Sequence, residues 1–248
     1  MFSKNKSKFI KSLQIKKFRT EYQKFLVEGA KSTLELINSD YFINELYVTE
    51  KFYQENHFLI SKRKLTAEII SESELSSISS FSNNNTAVAV ATMKENKAIT
   101  ANKNEFVFVL DEVKDPGNLG TIIRIADWYG INKIICSETT VDFYNPKVIA
   151  ASMGSFTRVT TYYCALEKFL SSVQLPIYGA DLEGENVHHF SFSKGGYLLM
   201  GNESEGLSKE VEKYITEKIH IPRFGHAESL NVAVATAVIC DNIKRRTE

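Results

Sequence analysis

From residue 106 onward, short apolar runs alternate with stretches of helical pattern, and this alternation constrains the fold more than any other feature of the chain. The first run, Phe106–Leu110, is continuously apolar, which is typical of a strand buried on both faces. The pattern then predicts a helix ending near Tyr129, a strand at 133–136, helices near Lys147 and at 165–172, strands at 176–180, 197–200 and 218–221, and a closing helix at 229–245. Alternation of this kind favours a parallel sheet with helices on both faces, and therefore an α/β fold.

The first part of the chain predicts a smaller α/β unit. Strands are expected at 24–29, 45–49, 67–70 and 86–93, with a helix at 30–39 and a short helix after Ser71, whose spacing to Glu74 matches a capping box. The stretch 94–104 is polar and predicts a linker between domains. We therefore expect one domain at 1–93 and a second at 105–248.

Charge is unevenly distributed along the chain. Basic and acidic residues balance at 30 each, yet residues 1–24 carry eight basic side chains against one acid, Glu21. The basic side chains are Lys4, Lys6, Lys8, Lys11, Lys16, Lys17, Arg19 and Lys24. Such a cluster suits a partner rich in phosphates, and it is equally consistent with a solvated helix face or a frayed terminus.

Several protein classes lack their sequence signatures here. No apolar run reaches the roughly 18–20 residues of a membrane span, and the lysine-rich start has no apolar signal core. Cys136, Cys164 and Cys240 are widely spaced in or near apolar runs, which is typical of buried thiols in a reducing compartment. The sequence contains no P-loop, no G-x-G-x-x-G after residue 110 and no C-x-x-C. We expect a cytoplasmic protein with no membrane contact and no metal.

Three polar stretches each follow a predicted strand. They are 115–120 with Arg124, then 201–207, and finally 221–222 followed by 228–231. Because ligands of open α/β sheets bind beyond the carboxyl ends of the strands, we expect all three stretches at one edge of the sheet. Gly201 and Gly206 in the second stretch permit close approach of the backbone to a flat ligand.

Each stretch also has an ordinary structural explanation. Asn118 is expected to cap the helix that follows it, and Arg124, which points away from the buried helix face, is then one solvated cation. Glu203 fits as a first-turn acid that interacts favourably with a helix dipole. Ser229 fits as the N-cap of the last helix, with Asn231 in its first turn. Three such explanations at one edge are harder to accept together than separately, which favours a shared site.

In this order, the three stretches resemble the signature motifs of the SpoU (TrmH-type) RNA 2′-O-ribose methyltransferases of the SPOUT class, over about Glu105 to Arg246. The first part, with 25–29 and 46–49, is similar to the L30e-like substrate-binding domain often fused in front of them. The resemblance implies a C-terminal domain with a deep trefoil knot and a homodimer that holds S-adenosylmethionine in the knot. It also implies methylation of a ribose 2′-hydroxyl in structured RNA. The front domain favours ribosomal RNA over transfer RNA as the substrate and leaves both possible.

The resemblance extends to single positions of this sequence. The positions that it assigns to the cofactor are Met200, Gly201, Asn202, Ile221, Pro222 and Leu230. The polar positions that it associates with catalysis are Asn118, Arg124, Glu203, Ser229 and Asn231. Two positions depart from the family pattern: Ala233 replaces a serine found in many members, and Ala150 replaces a basic residue found in some.

Two other functions remain to be distinguished from an RNA methyltransferase. One is a non-catalytic RNA-binding or ribosome-assembly factor that retains the fold, and the other is a nucleotide-binding oxidoreductase. Intact Asn118, Arg124 and 229–231 argue against the first, because a protein without turnover does not need this polar set. Binding of S-adenosylmethionine separates the methyltransferase from the first, and a nicotinamide or flavin spectrum would indicate the second.

Overall fold

A computed structural model describes residues 2–81, 84–202 and 205–247 of the protein. Residues 1–95 hold α1 (Lys4–Ser12), α2 (Lys16–Tyr22), β1 (Lys24–Glu28), α3 (Ala30–Asn38), β2 (Ile43–Val48), α4 (Glu50–Lys62), β3 (Glu68–Ile69), α5 (Glu72–Ile78) and β4 (Ala87–Thr92). Residues 96–248 hold β5 (Phe106–Leu110), α6 (Pro116–Trp128), β6 (Lys133–Ser137), α7 (Pro146–Ala151), β7 (Thr160–Cys164), α8 (Leu166–Leu170), β8 (Ile177–Asn186), β9 (Gly196–Met200), α9 (Lys209–Glu212), β10 (Glu217–His220) and α10 (Val232–Thr247).

The chain divides into two compact units that do not follow the sequence strictly. The first unit comprises Met1–Glu95 together with Asp142–Thr157, and the second comprises Asn96–Val141 together with Arg158–Glu248. The segment 142–157, which contains α7, lies inside the region that we predict as the second domain. Its contacts nevertheless group it with the first unit.

The first unit is built on a four-stranded sheet of order β1-β4-β2-β3. β4 pairs antiparallel with both β1 and β2, and β2 pairs parallel with β3. The predicted capping box is confirmed, since Ser71 and Glu74 satisfy each other's backbone N–H groups at the start of α5. The sequence did not predict α4.

The basic N-terminal region is a pair of ordered helices that pack on this sheet. Ile10 and Leu13 of α1 are fully buried in one core cluster with Leu26 of β1, Leu75 of α5 and Val88 of β4. A frayed terminus would leave these side chains in water. The frayed-terminus explanation of the basic cluster is therefore wrong, and the solvated-face and phosphate-binding explanations remain.

Arg19 of α2 is not a surface cation, which corrects its place in the predicted phosphate-binding cluster. Only 2% of Arg19 is exposed, and its Nη2 lies 2.6 Å from Oδ2 of Asp142. Its Nη1 donates to the carbonyl oxygens of Leu13 and Gln14, both at 2.9 Å. The guanidinium thus joins the turn between α1 and α2 to the segment 142–157.

Aromatic packing holds the same segment in the first unit. The ring of Phe25 on β1 lies 4.5 Å from the ring of Tyr144 and 6.1 Å from that of Phe156, measured between centroids. The hydroxyl of Tyr144 also accepts a hydrogen bond from the backbone N–H of Lys94 at 2.9 Å. The segment therefore belongs to the core of the first unit through both apolar and polar contacts.

The second unit is a six-stranded parallel sheet of order β10-β8-β9-β5-β6-β7. β5 and β9 lie inside it, and every residue of both strands is buried. The predicted α/β fold and the parallel sheet are confirmed. The sequence did not predict β7, an edge strand that is only half-buried and lacks the apolar run of the inner strands.

We expect the Arg19→Ala variant to lose about 3–5 kcal/mol of unfolding free energy, because it leaves the Asp142 carboxylate, which is 15% exposed, without its buried partner. Urea denaturation of the full chain measures this loss. Lys17→Ala, at an exposed position of the same helix, is the matched control and should stay within about 0.5 kcal/mol of the parent. Equal stability of the two variants would contradict the assignment of Arg19 as a structural residue.

Candidate active site

Three loops leave the carboxyl edge of the parallel sheet in the second unit. They follow β5, β9 and β10 and carry the three polar stretches predicted from the sequence. β5 and β9 are neighbours and end together, because Leu110 pairs with Met200. After β5 the chain continues to β6, towards one edge of the sheet, and after β9 it continues to β10, towards the other edge. Ligands of open α/β sheets bind at such a point, where the strand order reverses.

Hydrogen bonds tie the loop after β5 to the loop after β9. The carboxylate of Asp111, which is 4% exposed, accepts from the backbone N–H of Ser208 at 2.8 Å. In the opposite direction, Nδ2 of Asn202 donates to the carbonyl oxygen of Glu112 at 2.9 Å. The two loops therefore have a fixed relative position before any ligand binds.

Gly201 lies at the narrowest point of the loop after β9. The backbone groups of Asn202 and Gly206 exchange hydrogen bonds of 2.8 and 3.0 Å, which closes the loop into a tight turn. A Cβ atom at residue 201 would lie 2.3 Å from the carbonyl carbon of Gly206, and Gly206 has a φ of +71°. Both glycines are required, one for space and the other for its left-handed backbone.

A cavity of about 310 Å³ opens beside these loops, and its lining includes Asp111, Glu112, Asn202 and Ser208. Hydrogen bonds from Lys114 and Thr139 lower the pKa of the Glu112 carboxyl. Most of the residues that line the cavity have polar or charged side chains. It does not include the predicted cofactor positions after β10.

The start of α6 corrects the predicted role of Asn118. Asp115 is the N-cap, since its Oδ1 accepts from the backbone N–H of Asn118 at 2.8 Å, and Pro116 occupies the first turn. Because the cap is provided by Asp115, the side chain of Asn118 makes a different contact. Its Oδ1 accepts a hydrogen bond from Nδ2 of Asn231 at 2.8 Å, across 113 residues of sequence.

The start of α10 corrects the predicted role of Ser229. The helix begins at Val232, and Oδ1 of Asn231 accepts from the backbone N–H groups of Ala233 and Val234 at 3.0 and 3.3 Å. Asn231 is therefore the capping residue, and Ser229 lies exposed in the preceding loop. One amide side chain both caps α10 and joins its start to the start of α6.

Arg124 is exposed on α6, on the side opposite the buried Ile122 and Ala126, as predicted. Within the described parts of the chain, no carboxylate pairs with it. Asp127, one helical turn further on, is instead held by Arg158, whose Nη2 lies 2.8 Å from its Oδ2. Arg124 is thus an accessible cation near the Asn118–Asn231 pair.

The remaining predicted site residues differ in how far they are exposed to solvent. Met200 is buried at the end of β9, Ile221 and Pro222 are half-buried after β10, and Leu230 is 50% exposed. Glu203 lies outside the described residues. Asp115 stands directly before Pro116, which is typical of a helix N-cap, and Asp111 directly follows a fully apolar strand. Nothing in the sequence indicates the contact that Arg158 makes.

The described ranges 2–81, 84–202 and 205–247 contain neither a metal-binding cluster nor a membrane-spanning helix. No group of three or more His, Cys, Asp or Glu side chains there is arranged to hold a metal ion. None of the helices in those ranges is long and apolar enough to cross a membrane. The three cysteines are free, with Cys136 and Cys240 buried, and burial raises the pKa of both thiols.

The second unit is a parallel α/β unit in which hydrogen bonds join three polar loops at one sheet edge, and this arrangement is typical of a ligand-binding α/β protein. The sequence profile of the SpoU rRNA Methylase family matches residues 105–241, and that of the MRM3-like substrate binding domain matches residues 4–89. The chain therefore belongs to the SpoU rRNA methylase family. The resemblance seen in the three motifs is confirmed.

Individual relatives match nearly the whole chain. It is 29% identical over 238 residues to the 23S rRNA (guanosine(2553)-2′-O)-methyltransferase RlmP of Bacillus subtilis, with 94% of each chain covered. A TrmH-family structure from Porphyromonas gingivalis has 32% identity and a TM-score of 0.86, with 99% of each chain covered. An AdoMet-bound rRNA methyltransferase from Sinorhizobium meliloti has 28% identity and a TM-score of 0.89, over 100% of this chain and 97% of the other.

The double role of Asn231 generates a stability prediction. Asn231→Ala removes the cap of α10 and should lower the free energy of unfolding by about 1 kcal/mol more than Asn231→Ser, because serine is also a good N-cap. Both variants lose the hydrogen bond to Asn118, so the comparison isolates the cap. Urea denaturation measures the difference, and equal destabilisation would show that Asn231 does not cap the helix.

Proposed function

We propose that this protein transfers a methyl group from S-adenosylmethionine to a ribose 2′-hydroxyl of ribosomal RNA. The observation that carries the proposal is the hydrogen bond between Asn118 and Asn231, which joins the first and third motifs at the start of the helix that carries Arg124. Membership of the SpoU rRNA methylase family and the likeness to RlmP along nearly the full length support the reaction and the RNA class.

The loops after β9 and β10 have the properties that the cofactor requires. Gly201 and Gly206 place two residues without side chains in the turn after β9, which suits an adenosine that is recognised through the main chain. Ile221, Pro222 and Leu230 keep apolar surface that the protein itself does not cover, and this surface suits packing against adenine. Met200 and Asn202 complete the proposed cofactor set. Bound there, S-adenosylmethionine supplies a methyl group on a sulfonium.

Arg124 is the main polar residue proposed for the reaction. Its guanidinium stays protonated in proteins, so it does not act as the base. We assign it to the phosphate next to the target ribose, where it also polarises the 2′-hydroxyl. The proton leaves to that phosphate or to water. Asn118, Glu203, Ser229 and Asn231 complete the proposed polar set, in which the two asparagines fix the position of the ribose relative to Arg124.

We expect Arg124→Ala to lower the rate of methyl transfer by on the order of 10²–10³, as the loss of a preorganised charge-stabilising donor does. Its affinity for S-adenosylmethionine, measured by calorimetry, should stay unchanged. Arg124→Lys is the matched variant, because lysine keeps the positive charge but cannot make bidentate hydrogen bonds to a phosphate. Its rate of methyl transfer should lie between those of Arg124→Ala and the parent. Equal loss of cofactor binding in Arg124→Ala would contradict the assigned role.

The RNA class is tested by methyl transfer from labelled S-adenosylmethionine into unmodified 23S, 16S and transfer RNA. Mass analysis of the digested product then identifies the modified nucleoside. We expect a 2′-O-methylated nucleoside from ribosomal RNA only. Cofactor binding without incorporation into any of these RNAs would favour the non-catalytic RNA-binding or assembly factor.

The proposal has three further parts that rest on the family resemblance: a deep trefoil knot in the second unit, a cytoplasmic location and a homodimer. The dimer has some structural support. Trp128 on α6 is 83% exposed and Val234 on α10 is 51% exposed, and these two helices pack on each other. Exposed apolar side chains of this size on neighbouring helices suit burial by a second copy of the chain.

The helix α1 supports contact between the first unit and RNA phosphates. Lys4, Lys8 and Lys11 are exposed at spacings of four and three residues, so they share one face of the helix. That face lies opposite the buried Ile10 and Leu13. The helix contains no acidic residue, and its outer surface is a continuous row of positive charge.

We expect simultaneous Lys4→Gln, Lys8→Gln and Lys11→Gln substitution to reduce the salt dependence of RNA binding, d log K/d log[salt], by about 2–3. Substitution is preferable to deletion of α1, because deletion would uncover the core that Ile10 and Leu13 fill. The control substitutes three exposed lysines of the same unit, Lys51, Lys62 and Lys64. An unchanged slope in the α1 variant would leave this row as a solvated face.

A further inference from the structure

Arg158 forms a bidentate salt bridge with the carboxylate of Asp127. Its Nε lies 3.0 Å from both carboxylate oxygens, and its Nη2 lies 2.8 Å from Oδ2. Asp127 is on α6, and Arg158 lies two residues before the first residue of the strand β7. A guanidinium that approaches one carboxylate with two nitrogens neutralises it more completely than a single lysine contact does.

Asp127 stands three residues after Arg124 on the same helix. Side chains at this spacing are neighbours on the helix surface, and opposite charges there attract each other. Asp127 is therefore the nearest acidic group along the helix that could pair with Arg124. In the structure Asp127 is held by Arg158 instead, and among the described residues Arg124 has no ionic partner.

The Arg158–Asp127 pair contributes little to stability. Its side chains are 47% and 23% exposed, and ion pairs with this exposure contribute at most about 1 kcal/mol. Its effect on the local charge is larger. Without Arg158, the Asp127 carboxylate would compete for Arg124 and would repel an RNA phosphate that approaches Arg124.

We propose that Arg158 is a positioning residue for the methyl transfer reaction. It forms an ion pair with the Asp127 carboxylate, and Arg124 is therefore available to the RNA phosphate. This inference rests on the proposed function and on the role of Arg124 within it. Arg158 itself touches neither the ribose nor the cofactor in this scheme. It acts through the charge of Asp127.

The test is a double-mutant cycle in the full-length protein with Arg158→Gln, Asp127→Asn and the combined variant. We expect Arg158→Gln alone to lower kcat about three- to tenfold, since it frees one negative charge beside Arg124. The combined variant should return to within about twofold of the parent, because the freed charge is no longer there. Affinity for S-adenosylmethionine should be equal in all four proteins.

Lys133→Gln is the matched control, because Lys133 forms a comparable ion pair with Glu105 in the same unit, at 2.7 Å. It should leave kcat unchanged. A combined variant as slow as Arg158→Gln would assign Arg158 a merely structural role and overturn the inference. Parental kcat in Arg158→Gln would overturn it as well.

Arg124→Ala, measured in the same assay, separates this inference from the proposed function. If Arg124→Ala is inactive while Arg158→Gln is normal, only the inference about Arg158 fails. If Arg124→Ala is as active as the parent, the assigned role of Arg124 fails, and the inference fails with it. Thermal unfolding of each variant ensures that every rate refers to folded protein.

Discussion

The parallel pairing of β5 with β9 is the interaction on which the site depends. Both strands are buried along their whole length, and their register brings Leu110 and Met200 to the same level. The loops that follow therefore start side by side, although about 90 residues separate them in sequence. The Asp111–Ser208 and Asn202–Glu112 hydrogen bonds are consequences of this register, because a shift of one residue would separate the partners.

Much of the fold could be predicted because its inner strands are apolar runs with polar ends. The short apolar runs at β5 and β9 are typical of strands buried on both faces, and all the predicted strands of the second unit are present. The edge strand β7 and the helix α4 carry mixed side chains, so their sequences contain no clear period. What decides their structure is the neighbouring element that covers one face, and a single sequence does not show it.

The sequence predicted which loops meet at the sheet edge better than it predicted the contacts within them. The three motifs identified the loops, yet Asn118 and Ser229 were both expected to cap helices that Asp115 and Asn231 cap instead. In each case two suitable capping residues stand within three positions. At α6 the proline at the first helical position favours Asp115, whereas at α10 local rules do not choose between Ser229 and Asn231. The choice is made by the contact across the sheet edge, since Asn231 alone reaches both its own helix and Asn118.

The placement of 142–157 has a consequence for how this protein can be divided. The polypeptide passes from one unit to the other three times, near residues 95, 142 and 158. Synthesis of the first 95 residues therefore does not complete the first unit, whose core also needs Tyr144 and Phe156. A fragment cut within 94–104 would release the second unit with an aromatic segment that has lost its core partner. The linker is a boundary in sequence, but it is not a boundary of independent folding.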